Sequence, residues 1–153
     1  MINSTLCYLR KSDETLMLHR NKKDFDIHEG KWNGLGGKIE SGESPEDCVI
    51  REVKEESGYD ICQPILKGFI TFPKFDKIND WLVFIYICEK FQGNLISESN
   101  EGTLKWIKND KLFNLNLWQG DRIFMPWLES KKLFSAKFIY DNSIFKDYTV
   151  NFF

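Results

Sequence analysis

Hydrophobic positions change their spacing several times along the chain, and each change predicts an element. Apolar residues in the runs 4–10 (STLCYLR) and 15–20 (TLMLHR) flank the turn-like Lys11-Ser12-Asp13-Glu14, which predicts an opening β-hairpin. Residues 24–42 carry five of the ten glycines and little apolar periodicity, so they read as a long loop of the kind that usually serves function. From Ser44 the pattern turns helical. Ser44 suits the N-cap, Pro45 the first helical position, Glu46 and Asp47 the first turn, and Gly58 the position after the last turn. Strand-like runs follow at 65–72, 81–89 and 104–107. Residues 121–128 place Ile123, Phe124, Trp127 and Leu128 at helical spacing, and 137–140 with 144–152 predict a final hairpin around Asp141-Asn142. These elements imply an α/β fold with a mixed sheet. Without an internal repeat, a low-complexity tract or a linker, residues 1–153 are expected to form one domain.

Composition narrows the function classes. Hydrophobic residues make up 42% of the chain, 13 of them Phe and 5 Trp, which supplies a core and excludes disorder as the main state. With 21 Lys and Arg against 23 Asp and Glu, the net charge of −2 provides no positive field, so stable nucleic-acid binding is not expected. The longest apolar run, Trp81 to Cys88, falls short of the roughly 18–20 residues that span a bilayer, and charged Arg10 and Lys11 precede any cleavable leader. A cytoplasmic protein without membrane contact is expected. The four cysteines lack CxxC spacing and only two histidines exist, which argues against zinc and predicts free, buried thiols. No serine or cysteine motif accompanies His19 or His28, so neither is assigned chemistry.

The candidate chemistry lies on the predicted helix. At about 100° per residue, taking Glu52 as zero, Glu55 falls near 300° and Glu56 near 40°, so the three carboxylates share one arc. Val49, Val53 and Ile50 form the neighbouring core-facing stripe. Like charges three and four residues apart destabilise a helix, and the negative end of its dipole disfavours them further. A hard divalent cation would convert that repulsion into ligation, and all-oxygen ligands select Mg²⁺ or Mn²⁺ over Zn²⁺. Just before the helix, Gly34-Leu35-Gly36-Gly37-Lys38 frees backbone groups to approach a ligand, although it is neither a P-loop nor a dinucleotide fingerprint.

Reading from Gly37, the chain has five residues, Glu43, seven residues, then Arg51-Glu52-Val53-Lys54-Glu55-Glu56-Ser57-Gly58-Tyr59. This segment, 37–59, resembles the 23-residue Nudix box, departing only at Tyr59, where the family prefers an aliphatic residue. The resemblance implies an α/β/α sandwich with the box as a loop-helix-loop, and hydrolysis of a nucleoside diphosphate linked to another group. It makes Gly37, Glu52, Glu55, Glu56 and Glu101 candidate metal ligands. Arg51 would orient the glutamates, Glu43 would steady the loop, and Glu52, Glu55 or Glu101 would be the general base.

Beyond the box, the chain is similar to the MutT-type 8-oxo-dGTP diphosphatases. Lys31-Trp32-Asn33-Gly34-Leu35-Gly36-Gly37-Lys38 looks like their signature, with Asn33 where an amide reads the purine. Trp118-Gln119-Gly120-Asp121 resembles the segment whose tryptophan stacks on the base and whose acid reads its edge; the mammalian enzyme has two adjacent acids where this chain has Gly120 before Asp121. Arg20 matches an arginine near the nucleotide phosphates, Lys23 and Lys38 are further cations for that end, and Phe72 is a candidate wall of the base pocket. The expected protein is a Mg²⁺-dependent nucleoside triphosphate diphosphatase, monomer or homodimer, acting on oxidised purine nucleotides. Alternatives are a Nudix hydrolase of ADP-ribose or a dinucleoside polyphosphate, and a Nudix-fold module that binds a nucleotide without cleaving it.

Overall fold

The computed structural model describes residues 1–22 and 26–153. The opening hairpin forms from β1 (Ile2–Lys11) and β2 (Glu14–His19), turning through Ser12 at a φ of 55°. β1 and β2 pair only beside the turn, Arg10 with Thr15 and Lys11 with Glu14. Beyond it β2 leaves β1 and takes β3 (Trp32–Asn33) and, later, β8 (Thr103–Lys108) as partners.

The helix α1 spans Pro45–Ser57. Ser44 caps it with a reciprocal pair of bonds to Asp47, and Gly58 ends it in the left-handed region at a φ of 85°. Cys48, Val49 and Val53 are buried along it, whereas Ile50, expected in the apolar stripe, is exposed. The buried stripe extends toward the carboxylates and takes in Glu56, whose carboxyl group meets the Gly36 amide.

Two short strands escape the sequence pattern, β4 (Tyr59–Cys62) and β7 (Lys90–Gly93), which pair with each other. The runs at 65–72 and 81–89 are β5 (Ile65–Phe72) and β6 (Trp81–Cys88). The segment at 121–128 divides into α2 (Gln119–Phe124) and a 3₁₀ turn (Met125–Glu129), because Pro126 lacks the amide hydrogen that would extend the helix. The last hairpin, β9 (Phe134–Asp141) and β10 (Ile144–Phe152), turns on Asn142-Ser143, one residue later than the sequence suggested.

Among the described residues the main sheet runs β10-β9-β5-β6-β1-β2-β3, with β8 also beside β2. The β1–β6 and β5–β9 pairs are parallel and the rest antiparallel, which makes the sheet mixed. Alternate residues of its central strands face opposite cores. Cys7 and Leu9 of β1, with Tyr86 and Cys88 of β6, pack under α1, while Tyr8, Ile85 and Ile87 face Phe124, Leu128 and Phe138. The result is the expected α/β/α sandwich. All four cysteines are free, but Cys62 is exposed, since its position on the short β4 faces away from the core. No described helix is long and apolar enough to cross a membrane.

Candidate active site

The glycine segment is laid against β1 by backbone bonds: Thr5 N donates to Gly37 O, and Cys7 and Leu35 exchange both of theirs. That approach requires glycine. A Cβ on Gly36 would stand 1.9 Å from Thr5 O, and one on Gly37 would stand 2.5 Å from the Glu52 carboxyl group. Gly34 meets the same limit, 2.8 Å from Cys7 O. The freed Gly36 N–H donates to Glu56 Oε1 at 2.9 Å, so the turn that brings the loop to the helix also holds a carboxyl group of the helix.

Glu56 is buried, and burial, with the nearby charges of Glu101 and Glu52, raises its pKa well above the ordinary carboxyl range. It shares a side-chain hydrogen bond with Glu101. Burial also raises Glu52, against the opposing pull of Arg51. Arg51 is the hub of the box. Its Nε and Nη2 grip Glu43 at 2.7 and 2.9 Å, Nη1 reaches Glu52 at 2.8 Å and Glu55 at 3.3 Å, and Nη2 donates to Lys38 O. Those bonds lower the Glu43 pKa to about 2, and Glu43 in turn accepts from Glu40 N, tying the loop to the helix.

A cavity of about 800 Å³ opens beside this cluster. Glu52, Glu56 and Glu101 line one end with Arg20, Gly34, Gly36, Gly37 and Lys38. Arg20 bridges Asp26 at 2.7 Å and Glu101 at 3.4 Å. Glu55 does not reach this lining. Its side chain is 59% exposed and turned to Arg51, so the helical arc that grouped three carboxylates holds only Glu52 and Glu56 toward the cavity. The ideal projection leaves out the guanidinium that draws Glu55 aside. Lys23 lies outside the described residues.

The other end is built of aromatic rings and neutral polar groups. Phe72, Phe75, Trp81, Trp118 and Tyr140 form its walls, and Asn33 and Asp121 its buried polar groups. Among the described residues Asn33 Nδ2 has no hydrogen-bond partner, nor has the buried Tyr8 hydroxyl. Burial lifts the Asp121 pKa to about 7, against the pull of Lys31 and Arg122. Trp81 is set by its indole N–H, which donates to Asp76, and Lys38 lies over its ring at 5.6 Å. Gly120 explains why a second acid is missing beside Asp121. Its N–H donates to the Tyr140 hydroxyl at 2.7 Å, and a Cβ there would stand 2.6 Å from Phe138 and from that hydroxyl.

Sequence reasoning missed His28, Phe75 and Tyr140. His28, set aside as having no role, lines the cavity and accepts a hydrogen bond from Trp118 Nε1, whereas His19 stacks on Trp32 at 4.5 Å outside it. Position 28 lies 90 residues from its partner, and no local pattern announces the bond. The general run of the loop, between Arg20 and Asn33, was the one available signal.

This arrangement suits a polyanionic nucleotide, with carboxyl groups for a cation at one end and a base-sized slot at the other. A family model of the NUDIX domain matches residues 2–128. The chain is 38% identical over 120 residues to a Nudix hydrolase of Bacillus subtilis, covering 76% of this chain and 72% of the relative. It is 32% identical over 125 residues to the mouse oxidized purine nucleoside triphosphate hydrolase, covering 82% and 78%. Among solved structures, a MutT protein from Bacillus halodurans superposes with a TM-score of 0.87 at 30% identity, covering 99% and 98%. The chain belongs to the Nudix hydrolase family and is of MutT type. It is thus a hydrolase acting on phosphorus-containing anhydrides.

Proposed function

We propose that this enzyme is a nucleoside triphosphate diphosphatase that converts oxidised purine nucleotides such as 8-oxo-dGTP to the monophosphate and pyrophosphate, working as one domain over residues 1–153. One observation carries the reading: Asn33, with an unpartnered buried amide, and Asp121, a buried carboxyl group poised near neutrality, share a cavity with Glu52, Glu56 and Glu101. A purine edge satisfies both. The amide offers a donor and an acceptor, and the carboxyl group donates when protonated and accepts when ionised. The similarity to the mouse oxidized purine nucleoside triphosphate hydrolase supports the same substrate class.

The residues at the phosphate end fit a divalent cation. Crowding and burial hold the Glu52 and Glu56 carboxyl groups above their ordinary range, a cost that a hard cation relieves, and every donor present is oxygen. Among the described residues no group of three or more His, Cys, Asp or Glu side chains is already placed to hold a metal ion, and Glu52 is bonded to Arg51. Glu52, Glu56 and Glu101 would hold the ion, with the Gly37 carbonyl, one of whose lone pairs already accepts Thr5 N–H. Bound Mg²⁺, or Mn²⁺, supplies charge neutralisation at the triphosphate oxygens. The protein does the rest. Arg51 and Glu43 fix the helix relative to the loop, Arg20 and Lys38 offer charge to the phosphates, and Glu52 or Glu101 takes the proton of the attacking water. Trp118 and Phe72 bound the base, and water is displaced from the slot as it enters. The four free thiols agree with a reducing, cytoplasmic setting.

The test is product formation with Mg²⁺, read as pyrophosphate from 8-oxo-dGTP, dGTP and dCTP and as AMP from ADP-ribose. The reading expects the highest kcat/KM for 8-oxo-dGTP. A preference for ADP-ribose, or equal rates on every base, would overturn it.

A further inference from the structure

His28 makes a bond that no part of the phosphate chemistry requires. Its Nδ1 lies 2.8 Å from the indole Nε1 of Trp118, and the two rings meet almost edge-on at 84° with centroids 5.5 Å apart. An indole nitrogen only donates, so Nδ1 must accept and carries no proton. The imidazole is therefore neutral, with its hydrogen on Nε2. Burial and the neighbouring Arg20 charge favour that form, lowering the His28 pKa to about 4.

The bond matters because it is directional, whereas the other described contacts of Trp118, a buried ring of the core, are packing contacts. Phe75 and Tyr140 meet its ring in edge-to-face contacts at 5.1 and 5.5 Å, and Lys31 Nζ stands 5.1 Å over it. Such contacts fill space and attract, but they tolerate tilting of the indole about its attachment. A hydrogen bond at the far edge of the ring removes that freedom. Trp118 precedes α2 as its N-cap, and its indole, which only donates, cannot itself cap the helix. His28 approaches from the other side of the cavity, in the loop that continues to Asn33.

We propose that His28 is a positioning residue of the base pocket, which sets the plane of the Trp118 indole by accepting its N–H at Nδ1 and so prepares that ring to stack on the substrate's base. The proposal rests on the cavity being a nucleotide site, and it deepens that reading by coupling the loop before Asn33 to the tryptophan before α2. A prearranged stacking face lowers the ordering cost of binding, and its loss weakens binding before it touches the phosphate chemistry.

The experiment compares His28→Asn, His28→Leu and Trp118→Phe, alone and with His28→Leu and Trp118→Phe combined. Asparagine places its side-chain oxygen near the position of Nδ1 and keeps an acceptor, whereas leucine keeps apolar bulk and removes it. The first readout is the Trp118 indole N–H resonance of the nucleotide-free protein in proton–nitrogen NMR spectra. It is expected downfield and slow to exchange in wild type and His28→Asn, and upfield and fast in His28→Leu. The second is steady-state kinetics on 8-oxo-dGTP. His28→Leu should raise KM about fivefold, the worth of one neutral hydrogen bond, with kcat changed less than about twofold. His28→Asn should return KM to within about twofold of wild type. In Trp118→Phe, which has no N–H to donate, adding His28→Leu should leave KM unchanged within about twofold. An indole resonance indifferent to His28→Leu, a fall in kcat in place of the rise in KM, or independent multiplication of the two substitutions would overturn the proposal. These outcomes are distinct from failure of the functional reading, which appears in wild type as absent or unselective nucleotide hydrolysis and leaves the indole resonance untouched.

Discussion

Asp121 offers the sharpest test of the base end, because its buried carboxyl group ties base reading to stability. In the folded chain it keeps its proton up to about pH 7, whereas its ordinary value is 3.8. Between those values only the folded chain carries this proton, so stability falls as pH rises, by about 1.36 kcal/mol per pH unit, and levels off above pH 7. The full interval corresponds to roughly 4 kcal/mol, a large share of the about 5–15 kcal/mol that holds a domain together. His28 opposes this slope. Its pKa is lowered from 6.5 to about 4, so between those values only the unfolded chain gains its proton, and stability rises with pH. The two contributions cancel over most of that window in wild type, and a plain pH–stability curve hides both.

Asp121→Asn separates them. Asparagine keeps the shape and does not titrate, so the stability difference between variant and wild type isolates the carboxyl group. From about pH 4.5 to 6.5 the variant should gain about 2.7 kcal/mol on wild type, and the gain should stop growing above about pH 7. Urea unfolding followed by circular dichroism, in chelator, measures it at each pH. A constant offset across the range would refute burial as the cause of the raised pKa. The same variant should lose kcat/KM on 8-oxo-dGTP more than on dCTP, because an amide cannot switch between donating and accepting as the carboxyl group does.

Three further outcomes are expected. Glu56→Gln should lower activity on the order of 100-fold or more while leaving the circular dichroism spectrum unchanged, and the rise in Tm that Mg²⁺ produces in wild type should shrink in it; a wild-type rate and an unchanged Mg²⁺ response would remove Glu56 from the site. Gly120→Ala forces a methyl group against Phe138 and the Tyr140 hydroxyl, so unfolding measurements should show a loss of about 1–3 kcal/mol; an unchanged Tm would mean that the α2 entry shifts freely. Trp118→Ala should weaken all nucleobases by roughly 1–3 kcal/mol in kcat/KM, and an effect confined to kcat would argue against stacking.

How much of this was legible in the sequence depended on the range of the interaction that carries it. Helix α1 was legible to the residue because its signals are local: Ser44, Pro45 and Gly58 each satisfy a requirement of their own turn. β4 and β7 were not, since four-residue strands ending a helix and a sheet strand show no periodicity of their own and exist by pairing with each other. The carboxylates were visible as a cluster, but their division was not. Arg51 sits one residue before Glu52 and one turn before Glu55, bonds both, and of that pair leaves the half-buried Glu52 facing the cavity and the exposed Glu55 outside it. Ile50 failed for a related reason: α1 buries Glu56, and not Ile50, against the glycine segment, which the Gly36 amide makes tolerable.

The two ends of the cavity also differ in what a substrate must bring. At the phosphate end both guanidinium groups already have carboxylate partners, Arg51 in Glu43 and Glu52, Arg20 in Asp26 and Glu101. A polyanion alone would therefore face three carboxyl groups against Lys38 and guanidinium charge that it must share with neighbours, so entry of a triphosphate without a divalent cation is electrostatically unfavourable. At the base end the described residues leave the Asn33 amide nitrogen without a partner, the Asp121 carboxyl group titrates near neutrality, and the uncharged His28 imidazole is already bonded to Trp118. Desolvating neutral groups costs far less than desolvating charges, and Asn33 and Asp121 each gain a bond when a purine edge arrives. Cation and base thus act on separate terms. Depleting Mg²⁺ should abolish turnover at every base alike, while Asp121→Asn should alter the ranking of bases, and His28→Leu should weaken all of them, at any Mg²⁺ concentration.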